Sequence, residues 1–364
     1  MEDRILSKPA LATEPLVSDP AEATREDTPS HVDPRTVIQA CLLALALLTM
    51  AYVASDILLP LVLAFVLKLL FQPAMRQLDR ISVPRGLAAL LVILAFFGLI
   101  VGLGAAVADP ASGWAGRLPE GLPRLQEKLH FLSRPIQTFQ SFMHEMGTSG
   151  DPGIDFLGTL FRGTQHFASG FFETILILFF LLMSGDTFLR RTVEILPRFS
   201  DKRQAVELSQ QIEHNISIYL VTITLMNTLV GIATALMMWA TGLGDPILWG
   251  VLAFILNYVP IMGPVAGVAI FTFAGLLSIE GTLAAFMPAG AYLLIHLIEG
   301  EIVTPMLLAR RFTLNPVLVI LSLIFWFWAW GVAGAILAVP MLAIFKIVCD
   351  GIKPLNPIGH FLEA

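Results

Sequence analysis

Apolar runs long enough to cross a bilayer recur along this chain, and that recurrence constrains its fold more than any other feature. The hydrocarbon core of a bilayer is roughly 30 Å thick, so a helix needs about 20 apolar residues to cross it. Runs of suitable length lie at 36–54, 57–72, 87–108, 167–184 and 215–241, with a shorter one at 283–299. Composition agrees: 56% of the 364 residues are hydrophobic and 14% charged, with mean hydropathy +0.78, against about 25% charged in soluble domains. That balance excludes a cytosolic enzyme, a secreted disulfide scaffold and a nucleic-acid binder. A net charge of −6 leaves no basic field to recruit a polyanion. Cys41 and Cys349 sit in apolar runs at opposite ends of the chain; with no metal or redox spacing, they read as small buried hydrophobes. The lipid bilayer is the first partner, and the fold class is an all-α polytopic membrane protein with about five or six full spans.

Residues 1–36 are rich in Pro, Glu, Asp and Thr and cannot bury enough apolar surface to order themselves. They contain no apolar h-region, so the expectation is a disordered cytoplasmic tail rather than a cleaved signal peptide. Lys and Arg placement sets orientation. The tail carries Arg4, Lys8, Arg25 and Arg35; later loops carry Arg76, Arg80 and Arg85, then Arg190, Arg191, Arg198, Lys202 and Arg203, then Arg310 and Arg311, and the C-terminus has Lys353. The short loops at 55–56, 242–245 and 279–282 carry none. Both termini are therefore expected on the cytoplasmic side. The expected divisions are 1–36 (tail), 37–108 (N-terminal transmembrane helices), 109–166 (an extracytoplasmic amphipathic helical loop), 167–350 (a transmembrane transport region) and 351–364 (the cytoplasmic C-terminus). In 122–146, apolar residues recur every three or four positions, which predicts an amphipathic helix pair bent at Pro135. Ser200 or Asp201 is expected to cap a helix running to about Thr241, roughly 60 Å long and too long to lie wholly within the bilayer.

Two apolar stretches are interrupted. Residues 246–279 break at Asn257-Tyr-Val-Pro260-Ile-Met-Gly263-Pro264, and 316–349 break around Gly331, Gly334 and Pro340. The arms of the first are about 12 and 15 residues, short for comfortable spans. With the neighbouring spans on either side, they fit a hairpin dipping in from outside. The second stretch reads as a hairpin or as two short spans, opening to the cytoplasm. Broken backbone at membrane depth survives only where protein buries it or it lines a watery cavity, and paired Gly/Pro-interrupted segments mark transporter binding sites. Ordinary kinked helices are the plainer alternative.

Ionisable side chains inside a membrane are costly and rare. His296 and Glu299 lie three apart on one helix face, followed by Glu301, Thr304 and Pro305. A carboxylate there could hold a proton or Na⁺ with His296 as partner; the competing reading pairs Glu299 and Glu301 with Arg310 or Arg311. Lys68 reads as snorkelling toward its helix end. Asn227, Thr224 and Asn257 offer uncharged hydrogen-bonding groups, either lining a path for a small polar solute or bonding across helices. Gly98 and Gly102 form a small-xxx-small pattern, a weak packing signal. No His-Glu-x-x-His, Gly-x-Ser-x-Gly or Walker sequence occurs. The expectation is a secondary transporter or channel-like carrier rather than an enzyme, with no cofactor or metal and with H⁺ or Na⁺ as the candidate coupling ion.

From about 37 to 350 the chain resembles the autoinducer-2 exporter (AI-2E) family. The resemblance is carried by Gly242-Leu-Gly-Asp-Pro246 with Trp249-Gly250 and the Asn257–Pro264 segment. It is carried equally by Ile298-Glu299-Gly300, Pro305, Asn315-Pro316, and Phe325 through Gly331, Gly334 and Pro340. Gln72-Pro73, Arg80, Pro84-Arg85 and Ser184-Gly185-Asp186 also fit. Glu301 departs from the pattern, where Asn is expected. The resemblance implies a permease of the bacterial cytoplasmic membrane that exports small molecules, autoinducer-2 being the namesake substrate. It also implies a homo-oligomer, a pentamer, working by an elevator-like movement with 37–108 as scaffold. Some relatives are described as Na⁺/H⁺ antiporters, so an Na⁺(Li⁺)/H⁺ antiporter is the alternative. A non-transporting membrane scaffold is the third reading.

Overall fold

The computed structural model describes residues 34–128, 170–185, 187–304, 314–352 and 355–362. Pro305, Arg310, Arg311, the tail before residue 34 and the bend expected at Pro135 lie outside the described residues. The described chain is helical, with no sheet among its residues. Two compact units are delimited, Met1–Met50 and Ala51–Ala364. The described part of the first belongs to α1 (Pro34–Val53) and exposes Leu42, Leu43, Leu45 and Leu47.

In the second unit, α2 (Ser55–Arg80) and α3 (Arg85–Lys128) follow, then α4 (Gly170–Ser184) and α5 (Thr187–Ile195), the last two bent by 62°. Next come α6 (Phe199–Ala240), α7 (Pro246–Leu256), α8 (Met262–Ser278), the short α9 (Thr282–Ala285) and α10 (Met287–Ile298). A π-helical turn over Glu299–Val303 closes α10, and α11 (Pro316–Gly351) and α12 (Asn356–Phe361) end the chain. Among the described residues five helical segments are long and apolar enough to cross a membrane, or six if α4 and α5 form one bent span. With the shorter apolar helices α7 and α8, this is the polytopic all-α architecture the hydropathy calls for.

Two boundaries differ from expectation. Helix α3 does not stop near residue 108 but continues through Asp109-Pro110 to Lys128; at 44 residues it is about 66 Å long. Proline removes one amide donor, and this helix absorbs the loss without ending. Helix α6 is continuous over 42 residues, as its length predicts, but Arg198 is the capping residue and no side chain caps it. Ser200 Oγ instead donates to Asp201 Oδ1 at 3.1 Å within the first turn.

Three apolar clusters organise this unit. One joins α2, α3 and α4 through Ala64, Met75, Ala88, Ile93, Leu178 and Leu182. A second joins α2, α6 and α11 through Val66, Leu69, Ile216, Leu220, Leu337 and Ile347. The third gathers α7, α8 and α10 around Trp249, Phe271 and Tyr292, with Trp114 of α3 and Met238 of α6. Helices α2 and α6 thus bridge the N-terminal helices to the rest. Half of the most apolar window of α11 is buried, against 6% for α3. Helix α3 keeps Leu90, Leu94, Phe97 and Leu99 exposed, the surface a lipid-facing helix presents. Cys349 is fully buried, as its apolar setting suggests.

Candidate functional site

Both interrupted segments are real breaks, and they touch. In the first, α7 ends at Leu256 and the chain turns through Asn257–Ile261 before α8. Ile261 carries φ 65° and ψ −56°, and the Met262 amide reaches the Pro260 carbonyl at 2.6 Å. That is a γ-turn of the rare positive-φ hand, and a β-branched residue there is strained by roughly 1–3 kcal/mol. Gly263 lies against the Leu256 carbonyl, leaving no room for a Cβ; Pro264 follows in the first turn of α8, where its missing amide costs little.

The second break falls inside α11 at Trp330 (φ −130°, ψ 15°) and Gly331 (φ 61°, ψ −144°), the latter conformation open essentially only to glycine. Ser322 Oγ donates to the Ala338 carbonyl at 3.0 Å. Sixteen residues along an unbroken helix would be about 24 Å apart, so 316–329 and 332–351 fold back on one another as a hairpin. Gly334 sits beneath the Trp326 carbonyl, and Pro340 is buried in the returning arm. Val259 of the first break packs against Leu323, Ala335 and Ala338 of this hairpin.

Polar groups cluster at two places. On the α6–α7 seam, Asn257 Nδ2 donates to Asn227 Oδ1 at 2.9 Å, and Tyr258 Oη donates to Thr224 Oγ1 at 2.9 Å. Asn227 and Thr234 are fully buried, and Asn227 Nδ2 and Thr234 Oγ1 have no partner among the described residues. The second place is the end of α10. Thr304 Oγ1 donates to Glu299 Oε1 at 2.6 Å, and His296 Nδ1 is 3.9 Å from Glu299 Oε2. The His296 and Glu299 side chains are 8% and 19% exposed. His296 Nε2 is buried with no partner among the described residues. Glu301 is exposed beside them in the π-helical turn, a helix irregularity often found at functional sites. Among the described residues no hydrogen bond joins this group to the asparagine pair, so the sequence candidates form two polar groups rather than one.

An aromatic column that the sequence did not announce leads to Glu299. Trp114 stacks edge-on with Trp249 (4.8 Å between centroids), Trp249 lies 5.4 Å from Phe271, Phe271 4.5 Å from Tyr292, and Tyr292 4.4 Å from His296. At its far end Trp114 Nε1 donates to Asp245 Oδ2 at 3.0 Å. Asp245 is therefore engaged, in the left-handed region at the start of α7. Tyr292 Oη and Trp249 Nε1 are buried without partners among the described residues. Gly267 faces the Tyr292 ring, which occupies the space a side chain there would need.

Helices long enough to cross a membrane, two touching helix breaks and a mostly buried carboxylate on a π-helical turn define a polytopic membrane protein of the transporter class. The chain belongs to the AI-2E transporter family, whose model matches residues 41–353. It is 28% identical over 312 residues to the AI-2 transport protein TqsA of Escherichia coli K12, covering 82% of this chain and 86% of that one. It is 25% identical to the putative transport protein YhhT of the same organism, covering 83% and 86%, and 25% identical to its putative permease PerM, covering 81% and 87%. These relatives are named as transport proteins or permeases, which places this chain among membrane transporters.

Proposed function

We propose that the chain is a secondary transporter of the bacterial cytoplasmic membrane that exports a small polar molecule, driven by an ion gradient. Residues 167–350 move in an elevator-like manner against a scaffold of 37–108, in a homo-oligomer with both termini cytoplasmic, a pentamer being the state the family resemblance implies. The carrying observation is the His296–Glu299–Thr304 group: a mostly buried carboxylate, held by a hydroxyl and facing an imidazole, at the end of a membrane helix. Such a carboxylate can exchange a proton or Na⁺ as the helix moves between two environments, because binding the cation removes the cost of its charge. The buried amide of Asn227, beside the first break, and the buried hydroxyl of Thr234, seven residues further along α6, supply unspent hydrogen-bonding capacity of the kind a polar solute needs.

The same carboxylate supports a second reading, an Na⁺(Li⁺)/H⁺ antiporter, in which Glu299 carries the transported ion itself. Purified protein in proteoliposomes with a pH-sensitive dye separates the two. Under imposed Na⁺, Li⁺ or K⁺ gradients, cation-dependent proton movement that disappears in Glu299→Gln makes this carboxylate the coupling site. Absence of proton movement under every gradient removes the antiporter and sends the search to labelled polar metabolites. Residual solute flux down its own gradient in Glu299→Gln selects the coupled exporter.

A further inference from the structure

Lys68 lies within the apolar stretch of α2, half-buried and with no ion-pair or hydrogen-bond partner among the described residues. It lines a cavity of about 230 Å³ between α2, α3, α4 and α6, together with Gln72, Arg76, Asp79, Arg85 and Glu213. Two of the family-like sequence pieces, Gln72 to Arg85 and Ser184-Gly185, thus converge on a place that the transport reading leaves unused. Lys68, Gln72 and Arg76 are spaced four apart, so they line one face of α2. Glu213 occupies two of them: it accepts from Gln72 Nε2 and, at 2.9 Å, from Arg76 Nη2. Among the described residues Arg85 makes only a long pairing with Asp79, 3.8 Å, and its guanidinium lies over Gly185. Asp186 lies outside the described residues.

The charge balance selects the ligand. Three cations face two carboxylates in the described lining, leaving one positive charge and two groups, Lys68 and Arg85, with donors to spare. A bare ammonium at this depth is costly, so a singly charged anion with several oxygens is the complement. Across Arg76, a neighbouring cavity is lined by Arg80, His214 and Ser217 and, among the described residues, by no carboxylate, so the positive field continues along α2. Basic pockets between membrane helices on the arginine-rich side take phospholipid headgroups, and a guanidinium fork with an ammonium suits phosphate oxygens. We propose that this cavity binds a phosphodiester of net charge −1, carried either by an anionic membrane lipid or by a soluble glycerophosphodiester, with Lys68 and Arg85 on its oxygens, and that it disfavours a headgroup that adds a cation of its own.

The test uses the full chain in detergent, with native mass spectrometry to count retained molecules of phosphatidylglycerol or of phosphatidylcholine, whose net charge is zero. The expected result is preferential retention of phosphatidylglycerol, weakened about tenfold in Lys68→Met and largely kept in Lys68→Arg, the size expected for one charge-assisted contact. Displacement of the lipid by soluble glycerophosphoglycerol at a similar concentration upholds the phosphodiester site and makes the soluble ester its source; resistance to displacement makes the lipid the source. Equal retention of the two lipids by the unaltered chain overturns the proposal, and that comparison decides the matter even if Lys68→Met fails to fold. Undiminished phosphatidylglycerol retention in a monodisperse Lys68→Met protein overturns it as well.

Discussion

The two helix breaks look alike in sequence, each a glycine- and proline-bearing gap in an apolar run, but they are built differently. The first spends backbone strain at Ile261 and a tight approach at Gly263, and it is bordered by Asn257–Asn227 and Tyr258–Thr224 bonds. The second turns at Trp330 and Gly331, with open space where a Cβ would stand at Gly331; it shares a tight glycine approach at Gly334, but apolar packing plus the Ser322 bond hold its arms together in place of a polar border. Trp330 Nε1 adds an anchor to the Ala51 carbonyl at 3.0 Å. A break that keeps strain and unsatisfied polar groups at membrane depth is set up to act on something; a break closed by apolar packing is set up to hold shape. We propose ligand contact for the first and support for the second; the two meet at Val259.

The sharpest way to break this assignment is at Gly263. A methyl there meets a backbone carbonyl, which cannot rotate away as a side chain would, so Gly263→Ala should cost about 3 kcal/mol, the upper end for overpacking. Flux should fall with it, beyond what the loss of folded protein explains, as measured in proteoliposomes matched for monodisperse protein. Gly331→Ala should cost less, about 2 kcal/mol, because only backbone strain opposes it. Thermal denaturation in detergent ranks the two. A larger loss at Gly331 would mean that the second break, not the first, is the constrained one.

How much of this was open to a reader of the sequence follows from the range of the interactions. Spans and breaks are local: an apolar run and a Pro-x-x-Gly-Pro gap declare themselves within about 20 residues. Helix α6 was legible to within a few residues, although its cap was not, because Ser200 turned to its neighbour Asp201 instead of the backbone. The continuation of α3 was hidden because Pro110 reads as a stop, and with it the position of Trp114. The bonds from Trp114 to Asp245, from Asn257 to Asn227 and from Gln72 to Glu213 join residues 131, 30 and 141 apart. Periodicity carries no information at those separations. The His296–Glu299 pair was legible because a helix brings residues three apart onto one face. Beyond Tyr292, four residues back on the same helix, the rings behind it come from three other helices, and nothing local announces them.

The smallest expected effects discriminate best between the two breaks. Asn257→Ala leaves Asn227 Oδ1 buried without its donor, beside an Nδ2 that already lacks a partner, so it should cost about 1 kcal/mol and reduce flux clearly. Replacing both asparagines with leucine removes the stranded groups, so stability should return toward the starting value while flux stays low, since apolar pairs of similar shape are nearly neutral. Ser322→Ala should cost about 0.6 kcal/mol, the usual value of one bond between membrane helices, and leave flux unchanged once folded protein is matched. The contrast rests on the uncoupling of the two readouts. Restored stability without flux at Asn227 and Asn257, beside lost stability with intact flux at Ser322, is the pattern of a contact surface supported by a brace. If flux instead follows stability by the same proportion at both places, both breaks are only structural, and the polar seam between α6 and α7 is helix packing of the ordinary kind.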